Sequence, residues 1–275
     1  GVTHIIRGID LQDSAKRQQF VYDYFGWEYP EVLHWGHVQV DEYDVAVSTS
    51  RINELVEAGE LTGWDDPRAP TIASLRRRGV RAQAIVDAMV DLGMSTSDVD
   101  LAMSSIYTNN RDLVDDETDR LFLVRDGRAL SVTGDHPSEG TPPVHPDHAD
   151  RGTRQLAVDD AVLLESDDVP AEGERVWLKG FGCVSRDGDS LAWDGQDIEV
   201  VREAGVPVVH WVPADDTEPV RMRTPEGDVA GRAEATLREY DTDEFVQFER
   251  VGFARVDEPS GTGDGDETVV YYAHS

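Results

Sequence analysis

The first 45 residues alternate between short apolar runs and one amphipathic stretch. Strands are predicted where apolar and β-branched residues cluster, at 2–7, 31–33 and 38–40. Between the first two, residues 14–25 repeat with helical spacing and place three apolar side chains on one face: Phe20, Val21 and Tyr24. This order of strand, helix and strand is typical of an α/β sheet.

Residues 63–79 predict a turn followed by a helix. Two prolines follow Gly63 within seven residues, and a proline disfavours the helical conformation of the residue before it. Thr71 is then placed to cap a helix, and Gly79 is placed to end it. Three consecutive arginines at 76–78 fall in the last turn, where a basic residue complements the helix dipole.

Beyond residue 80 the spacing of apolar residues changes once, from a helical period to a period of two. Residues 80–113 predict two helices, the first ending at Gly93 and the second capped by Ser97. From about residue 118 the period is two, which predicts short strands of small β-barrels. These strands are 121–124, 129–132, 175–178, 208–212, 220–223 and 269–272.

The charge of the chain is extreme. Its 275 residues include 56 acidic and 25 basic residues, for a net charge of −31, and only Lys16 and Lys179 are lysines. This composition is similar to that of halophilic proteins. Disorder is the competing interpretation, but 39% of the residues are hydrophobic and recur with regular periods. The charge argues against nucleic-acid binding in dilute salt, although molar salt shortens the Debye length to roughly 3 Å.

The cysteine content and the lengths of the apolar runs exclude several classes of protein. Cys183 is the only cysteine, which excludes a disulfide framework and a cysteine-based zinc site. No apolar run is long enough to cross a membrane, and no signal peptide is visible. We therefore expect a cytoplasmic protein without a membrane partner.

Three strings resemble one known family. Residues 63–79 read G-W-D-D-P-R-x-P-T-x-x-x-L-R-R-R-G, which resembles the segment after the ATP-binding loop in class I glutamyl- and glutaminyl-tRNA synthetases. Residues 3–10 and 245–253 match further strings of that family in the expected order. The chain is identified as similar to the C-terminal portion of an archaeal-type, haloarchaeal glutamyl-tRNA synthetase that lacks the half with the HIGH motif.

The resemblance implies an α+β multidomain fold. Residues 1–45 would end a Rossmann catalytic domain, and 46–117 would hold the KMSKS-type loop and a helical connector that contacts tRNA. Residues 118–275 would form two small antiparallel β-barrels that bind the anticodon.

The implied function is that of a glutamate–tRNA ligase. The full-length enzyme would use ATP with Mg2+ to attach glutamate to tRNA(Glu), while this chain alone would bind tRNA as a monomer without catalysing. Whether tRNA(Gln) is also charged stays open. The alternatives are a glutaminyl-tRNA synthetase and a non-catalytic tRNA-binding module.

The resemblance also implies where substrate would bind. Arg7 matches an arginine that the glutamate enzymes set against the substrate carboxylate, and His4 stands in the same string. A guanidinium fork suits a carboxylate and suits a neutral amide poorly. The alternative is a structural ion pair between Arg7 and Asp10.

A degraded KMSKS-type loop is expected at residues 46–51. Ser48, Thr49, Ser50 and Arg51 are its candidate catalytic residues, and Arg51 is placed to replace the missing lysine charge on the triphosphate. Residues 34–37 spell H-x-G-H, but they stand too close to this loop to be the HIGH motif. We interpret His34 and His37 as strand residues.

The resemblance assigns tRNA contacts to four residues. Asp13 would read a guanine amine in the acceptor stem, or else serve only as a helix N-terminal acid. Arg154, Gln247 and Arg250 would contact anticodon bases. The linker 134–152 holds His136, His145 and His148, and we interpret it as a surface loop, so no metal site is expected.

Overall fold

The structure, a computed structural model, describes residues 1–40, 48–262 and 265–275. The predicted loop residues Ala46 and Val47 lie outside these ranges. Within them, six α-helices are present: α1 Gln12–Phe25, α2 Thr49–Glu57, α3 Ile72–Arg78, α4 Ala82–Leu92, α5 Met103–Val114 and α6 Ile198–Glu203.

Short strands make up most of the remaining regular structure. In chain order they are β1 His4–Gly8, β2 Glu31–Trp35, β3 Val38–Val40, β4 Val99–Leu101, β5 Asp119–Leu121, β6 Leu123–Arg125, β7 Gly127–Thr133, β8 Glu139–Gly140, β9 Leu156–Ala157, β10 Ala161–Glu165, β11 Arg175–Leu178, β12 Gly182–Asp187, β13 Ser190–Gly195, β14 Val208–Val209, β15 Val212–Pro213, β16 Thr217–Thr224, β17 Gly227–Glu234, β18 Phe245–Phe248, β19 Gly252–Glu258 and β20 Thr268–His274.

The N-terminal region has the predicted strand, helix and strand order. β1 and β2 pair in parallel, with Arg7 opposite His34, and α1 connects them. His34 therefore lies in a strand, as predicted. The prediction for His37 is wrong: it lies in the two-residue connection to β3, where its backbone N–H donates to the Asp98 carboxylate at 2.9 Å.

One predicted helix start is wrong. Ser97 does not cap a helix, because the next residues form β4, which pairs in parallel with β3. Helix α5 begins at Met103 instead, after Ala102. Gly36 allows the two segments to approach, since a Cβ on it would lie 2.2 Å from the Ser97 carbonyl oxygen. A pairing partner 61 residues away has overridden the local capping signal.

The connector helices pack on one apolar core, and α3 begins and ends as predicted. Thr71 Oγ1 accepts a hydrogen bond from the Ser74 N–H at 2.9 Å, and Gly79 follows the helix with φ +92°. The shared core of this region consists of Leu75, Val80, Ala84, Ala88, Leu101, Met103 and Ile106.

Two seven-stranded sheets follow the connector. The middle sheet has the order β14-β11-β12-β13-β7-β10-β15, and the C-terminal sheet has the order β5-β18-β19-β20-β16-β17-β6. Strands β5 and β6, at residues 119–125, belong to the C-terminal sheet, although they precede every strand of the middle sheet in the chain. Each sheet surrounds its own apolar core, one centred on Trp211 and Phe181 and the other on Phe248 and Met222.

This arrangement confirms the predicted α+β architecture of helices followed by β-sheet domains. Most strand pairs are antiparallel, as predicted. Each seven-stranded sheet also contains two parallel pairs, β11·β14 and β13·β7 in the middle sheet, and β16·β20 and β18·β5 in the C-terminal sheet. Both sheets are therefore mixed.

A buried arginine attaches the connector to the C-terminal sheet. Arg78 is 1% exposed, and it donates to the carbonyl oxygens of Tyr272 at 2.9 Å and Ala273 at 2.6 Å. Beside it, Asn110 of α5 donates its side-chain amide to His274 Nε2 at 2.8 Å. The connector is thus fixed to β20 by polar contacts inside the interface.

Candidate functional site

The two residues predicted to bind substrate lie on the same strand but face different ways. His4 and Arg7 are three residues apart on β1, so their side chains alternate to opposite faces. His4 contacts Glu31 at 3.3 Å. Among the described residues, Arg7 donates to Gln18 Oε1 at 2.5 Å rather than to Asp10, and Gln18 is neutral. The Arg7 charge therefore has a hydrogen-bond partner without a carboxylate partner.

The predicted phosphate-binding residues stand at the start of a helix. Ser48 precedes α2 in an extended conformation, and Thr49, Ser50 and Arg51 form its first turn. All four are exposed, and Arg51 contacts Glu54 at 3.3 Å. Their hydroxyls and the helix N–H groups are donors of the kind that bind phosphate oxygens. Residues 49–51 of this motif are thus helical rather than part of a loop, and Ser48 precedes them in an extended conformation.

The 63–79 motif holds this helix in place. Trp64 Nε1 donates to Asn53 Oδ1 on α2 at 3.1 Å. Ile52 and Leu55 of the same helix are buried against Leu61 and Ala69. The motif therefore supports the helix start rather than contributing a reactive group of its own.

Asp66 organises the turn inside this motif. It is 2% exposed, and its two oxygens accept from the Thr62 N–H at 2.9 Å and from the Arg68 N–H, Nε and NH2 at 3.0, 2.9 and 2.7 Å. Burial opposes its ionisation, but these hydrogen bonds outweigh burial and hold the pKa of Asp66 well below its usual range. The carboxylate is a fixed, charged centre of the turn.

Asp13 stands in the first turn of α1, exposed, 3.2 Å from Lys16. This position serves both interpretations of the residue, since a helix N-terminal acid is stabilised by the dipole and remains open to solvent.

Gln247 and Arg250 lie three residues apart, in strand β18 and in the turn that follows it. Gln247 is a partly buried residue of β18, paired with Phe253 of β19. Arg250 lies in the turn between these strands, with φ +65°, and its side chain is 48% exposed. A left-handed conformation is unusual for arginine and fixes the direction in which the side chain leaves the turn.

Arg154 is buried between the two sheets. Its side chain is only 3% exposed, and its Nε lies 3.0 Å from the Glu234 carboxylate, which is fully buried. It also donates to the carbonyl oxygens of Arg120 and Pro143. A contact with an anticodon base would require Arg154 to leave these partners, so in this conformation it joins the two sheets instead.

A cluster of charges surrounds Arg250 at the junction between the sheets, and sequence reasoning did not find it. Arg250 NH1 and NH2 donate to Asp168 at 2.5 and 2.9 Å. Arg125 donates to Glu165 through Nε at 2.8 Å and NH2 at 3.2 Å. His210 is 2% exposed behind them, and burial lowers its pKa, which favours the neutral imidazole.

This cluster contains three groups of the kind that bind metals. Ligand atoms of Glu165, Asp168 and His210 lie within 4.8 Å of one another. Each carboxylate already binds a guanidinium, so the charges balance without a cation. In the linker, the ring centroids of His145 and His148 lie 4.5 Å apart with the planes tilted by 50°, but His145 is fully buried and bonded to backbone groups of Asp115 and Asp147.

Family profiles of known proteins match the chain in three consecutive regions. The profile for the catalytic domain of class I tRNA synthetases (E and Q) matches residues 1–116. Two profiles for the anticodon-binding domain of the same synthetases match residues 118–203 and 208–257. The chain belongs to the class I glutamyl- and glutaminyl-tRNA synthetase family.

Relatives within this family are similar along the whole chain. Proteins named glutamate–tRNA ligase from Haloarcula marismortui, Natronomonas pharaonis and Halobacterium salinarum are 62%, 61% and 60% identical over 100% of the chain. The alignments cover 48%, 47% and 48% of those proteins. The chain therefore spans about half the length of the curated relatives it matches. In the part of the chain that the structure describes, no helix is long and apolar enough to cross a membrane.

In terms of this synthetase family, the predicted residues form two separate groups. Residues of β1, α1 and α2 lie in the catalytic-domain match, and Arg154, Gln247 and Arg250 lie in the anticodon-domain matches. The 63–79 motif and α3 to α5 stand between these two groups of residues, still inside the catalytic-domain match. In sequence, Glu165 and Asp168 are two members of an acidic run and Arg125 lies 40 residues before it. Only the contact between the sheets shows that these residues surround Arg250.

Proposed function

We propose that this chain provides the tRNA-holding part of a cytoplasmic glutamate–tRNA ligase and reads the anticodon through its C-terminal sheet. The observation that carries the proposal is the exposed, fixed guanidinium of Arg250 beside Gln247, within the anticodon-domain match. Donors of this kind read the exposed edges of unstacked bases. We propose tRNA(Glu) as the RNA and a monomer as the binding unit.

The catalytic-domain residues fit the ligase reaction. Arg7, bonded only to a neutral amide among the described residues, would bind the side-chain carboxylate of glutamate. Such a site rejects glutamine because its amide would leave the guanidinium without a charged partner. This favours glutamate over glutamine as the amino acid, and the relatives that carry the name glutamate–tRNA ligase support the same choice.

ATP is the energy source that the proposal implies. Its triphosphate would accept hydrogen bonds from Ser48, Thr49 and Ser50 at the start of α2, and Arg51 would offset its charge as pyrophosphate leaves. Mg2+ would accompany ATP, bound to its phosphate oxygens. Asp13 would contact the acceptor stem from the first turn of α1.

The experiment compares the binding of two RNAs to the chain without substitutions. Affinity is measured in molar KCl for tRNA(Glu) and for the same tRNA with a changed anticodon. Base-edge contacts are worth about 1–3 kcal/mol each, so we expect the changed anticodon to weaken binding about tenfold or more. Equal affinity for the two RNAs would contradict anticodon reading, and absence of binding would contradict the wider proposal.

A further inference from the structure

The turn between β18 and β19, which carries Arg250, is held from the middle sheet by two charges of opposite sign. Arg250 donates to Asp168, which lies between β10 and β11. Its neighbour Glu249 accepts from Lys179, which lies in the turn between β11 and β12. At two consecutive residues of one turn, an acid therefore holds the base and a base holds the acid.

Lys179 extends from a rigid part of the middle sheet. Its backbone N–H donates to the Val209 carbonyl oxygen at 3.0 Å, and its own carbonyl oxygen accepts from Trp211 Nε1 at 3.1 Å. Trp211 is fully buried. His210, between these two residues, has its Nδ1 atom 3.5 Å from Arg250 NH1. The segment that fixes Lys179 therefore also faces the Arg250 guanidinium.

The Glu249 carboxylate depends on this lysine. The Glu249 side chain is only 14% exposed, and Lys179 binds its Oε2 atom. The other oxygen, Oε1, lies 3.9 Å from Arg154 NH2 and accepts no hydrogen bond from any described residue. A mostly buried carboxylate is costly when it loses its partner. Without the Lys179 ammonium, we therefore expect Glu249 to turn toward solvent.

A movement of Glu249 would reach Arg250 through the backbone. Arg250 has φ +65°, and a left-handed residue other than glycine persists only where surrounding contacts hold it. One such contact is the hydrogen bond from the Glu249 N–H to the Leu121 carbonyl oxygen, at 2.9 Å. The ion pair between Lys179 and Glu249 is a second contact at the same residue. The direction of the Arg250 side chain thus depends on both.

We propose that Lys179 is a positioning residue for Arg250, because it binds Glu249 and so fixes the turn from which the Arg250 guanidinium extends. The Lys179 ammonium is engaged by Glu249, so it acts through the turn rather than by touching a base. This inference rests on the proposed function, which supplies the base contact of Arg250. It deepens that function by naming a residue through which the middle sheet controls reading by the C-terminal sheet.

The variants separate the charge of Lys179 from other ion pairs. Lys179→Gln removes the charge, and Lys179→Arg keeps it. Arg128→Gln is the matched control, because Arg128 pairs with Asp189 at 2.7 Å inside the middle sheet. Glu249→Gln, alone and combined with Lys179→Gln, shows whether the lysine acts through Glu249. Circular dichroism in molar KCl confirms that each protein is folded.

The first measurement needs no RNA. The NMR order parameter of the Arg250 Nε–H group reports fast motion of the guanidinium, and its signal is assigned by its loss in Arg250→Lys. We expect Lys179→Gln to lower this order parameter, and Lys179→Arg and Arg128→Gln to keep the wild-type value. An unchanged order parameter in Lys179→Gln would overturn the inference, whether or not the chain reads an anticodon.

The second measurement is the ratio of the affinities for tRNA(Glu) and for the same tRNA with a changed anticodon. We expect Lys179→Gln to lower this ratio about threefold or more, and the double variant with Glu249→Gln to lose no more than Lys179→Gln alone. A ratio equal to that of Arg128→Gln, or additive losses in the double variant, would overturn the inference. A wild type that binds both RNAs equally would instead contradict the proposed function, and the order parameter would then decide the positioning role by itself.

Discussion

Arg250 and Asp168 join the two seven-stranded sheets through two parallel hydrogen bonds, of 2.5 and 2.9 Å. Asp168 is 12% exposed and Arg250 is 48% exposed, so the carboxylate anchors one edge of the guanidinium while the rest faces solvent. Together with φ +65° at Arg250, this pair fixes the direction of the side chain. We interpret Asp168 as a positioning residue for the proposed base contact.

The first prediction concerns this positioning. Asp168→Ala should lower the discrimination between tRNA(Glu) and a tRNA with a changed anticodon, because Arg250 loses its orientation. The free energy of unfolding should fall by only about 1 kcal/mol, since the Arg250 guanidinium is half exposed although the Asp168 carboxylate is mostly buried. Asp168→Glu, which keeps a carboxylate, should restore part of the discrimination. Discrimination that is unchanged in Asp168→Ala would contradict the positioning role.

The second prediction compares two arginines of α3. Arg78→Ala should lower the free energy of unfolding by about 2–4 kcal/mol, because it leaves buried carbonyl oxygens of β20 without their charged donor. Arg76→Ala, two residues earlier and exposed, should change it by less than about 0.5 kcal/mol. Denaturant unfolding in molar KCl measures both. Similar losses in the two variants would show that the Arg78 contacts do not hold the interface.

The third prediction concerns the centre of the 63–79 turn. Asp66→Asn keeps the shape of the side chain but removes the charge that accepts from Arg68 and from the Thr62 N–H. We expect a loss of about 2–3 kcal/mol in the free energy of unfolding. Because the pKa of Asp66 is held low in the fold, the wild type should lose this contribution only as the solution becomes strongly acidic. Asp65→Asn, on the more exposed neighbour, is the control, and an equal loss there would contradict the account.

The fourth prediction follows from two buried groups whose pKa values move in opposite directions. Burial raises the pKa of Glu234 from 4.5 to about 7, although Arg154 opposes the change. Burial lowers the pKa of His274 from 6.5 to about 4. The Glu234 contribution to stability is therefore complete below pH 4.5 and is lost as the pH rises through 7. The His274 contribution is complete above pH 6.5 and is lost as the pH falls through 4.

Glu234→Gln should separate these two effects. It removes the Glu234 slope, so the stability of the variant relative to the wild type should rise by about 3 kcal/mol between pH 4.5 and 7. Unfolding curves of both proteins at matched salt across this range give the difference directly. A difference that is constant, or that falls with pH, would show that Glu234 is already ionised in the fold.

Local signals in the sequence predicted those elements whose boundaries depend on nearby residues. Thr71 and Gly79 begin and end α3 because capping and a left-handed turn involve only neighbouring backbone groups. Ser97 failed as a cap because β4 pairs with β3, far away in the chain. Residues 119–125 joined the C-terminal sheet for the same reason, since strand pairing is decided by tertiary contacts that the period of two does not encode.

The residues of the candidate site divide in the same way, into those that the sequence indicates and those that depend on tertiary contacts. The family strings led to Gln247, a partly buried residue of β18, and to Arg250 in the exposed turn that follows this strand. They also led to Arg154, whose burial depends on Glu234, 80 residues further along the chain. Asp168 could not be found from the sequence, because its role exists only where a turn of the middle sheet meets a turn of the C-terminal sheet.

The most direct measurement is a thermodynamic cycle between Arg250 and the anticodon. Binding free energies in molar KCl are measured for the wild type and Arg250→Ala, each with tRNA(Glu) and with the anticodon-changed tRNA. Gln247→Ala is a second test, and Arg232→Ala, exposed on the same sheet, is the control. Our account predicts a coupling of about 1–3 kcal/mol for Arg250 and none for Arg232. Equal losses by Arg250→Ala on both RNAs would contradict the claim that this chain reads the anticodon.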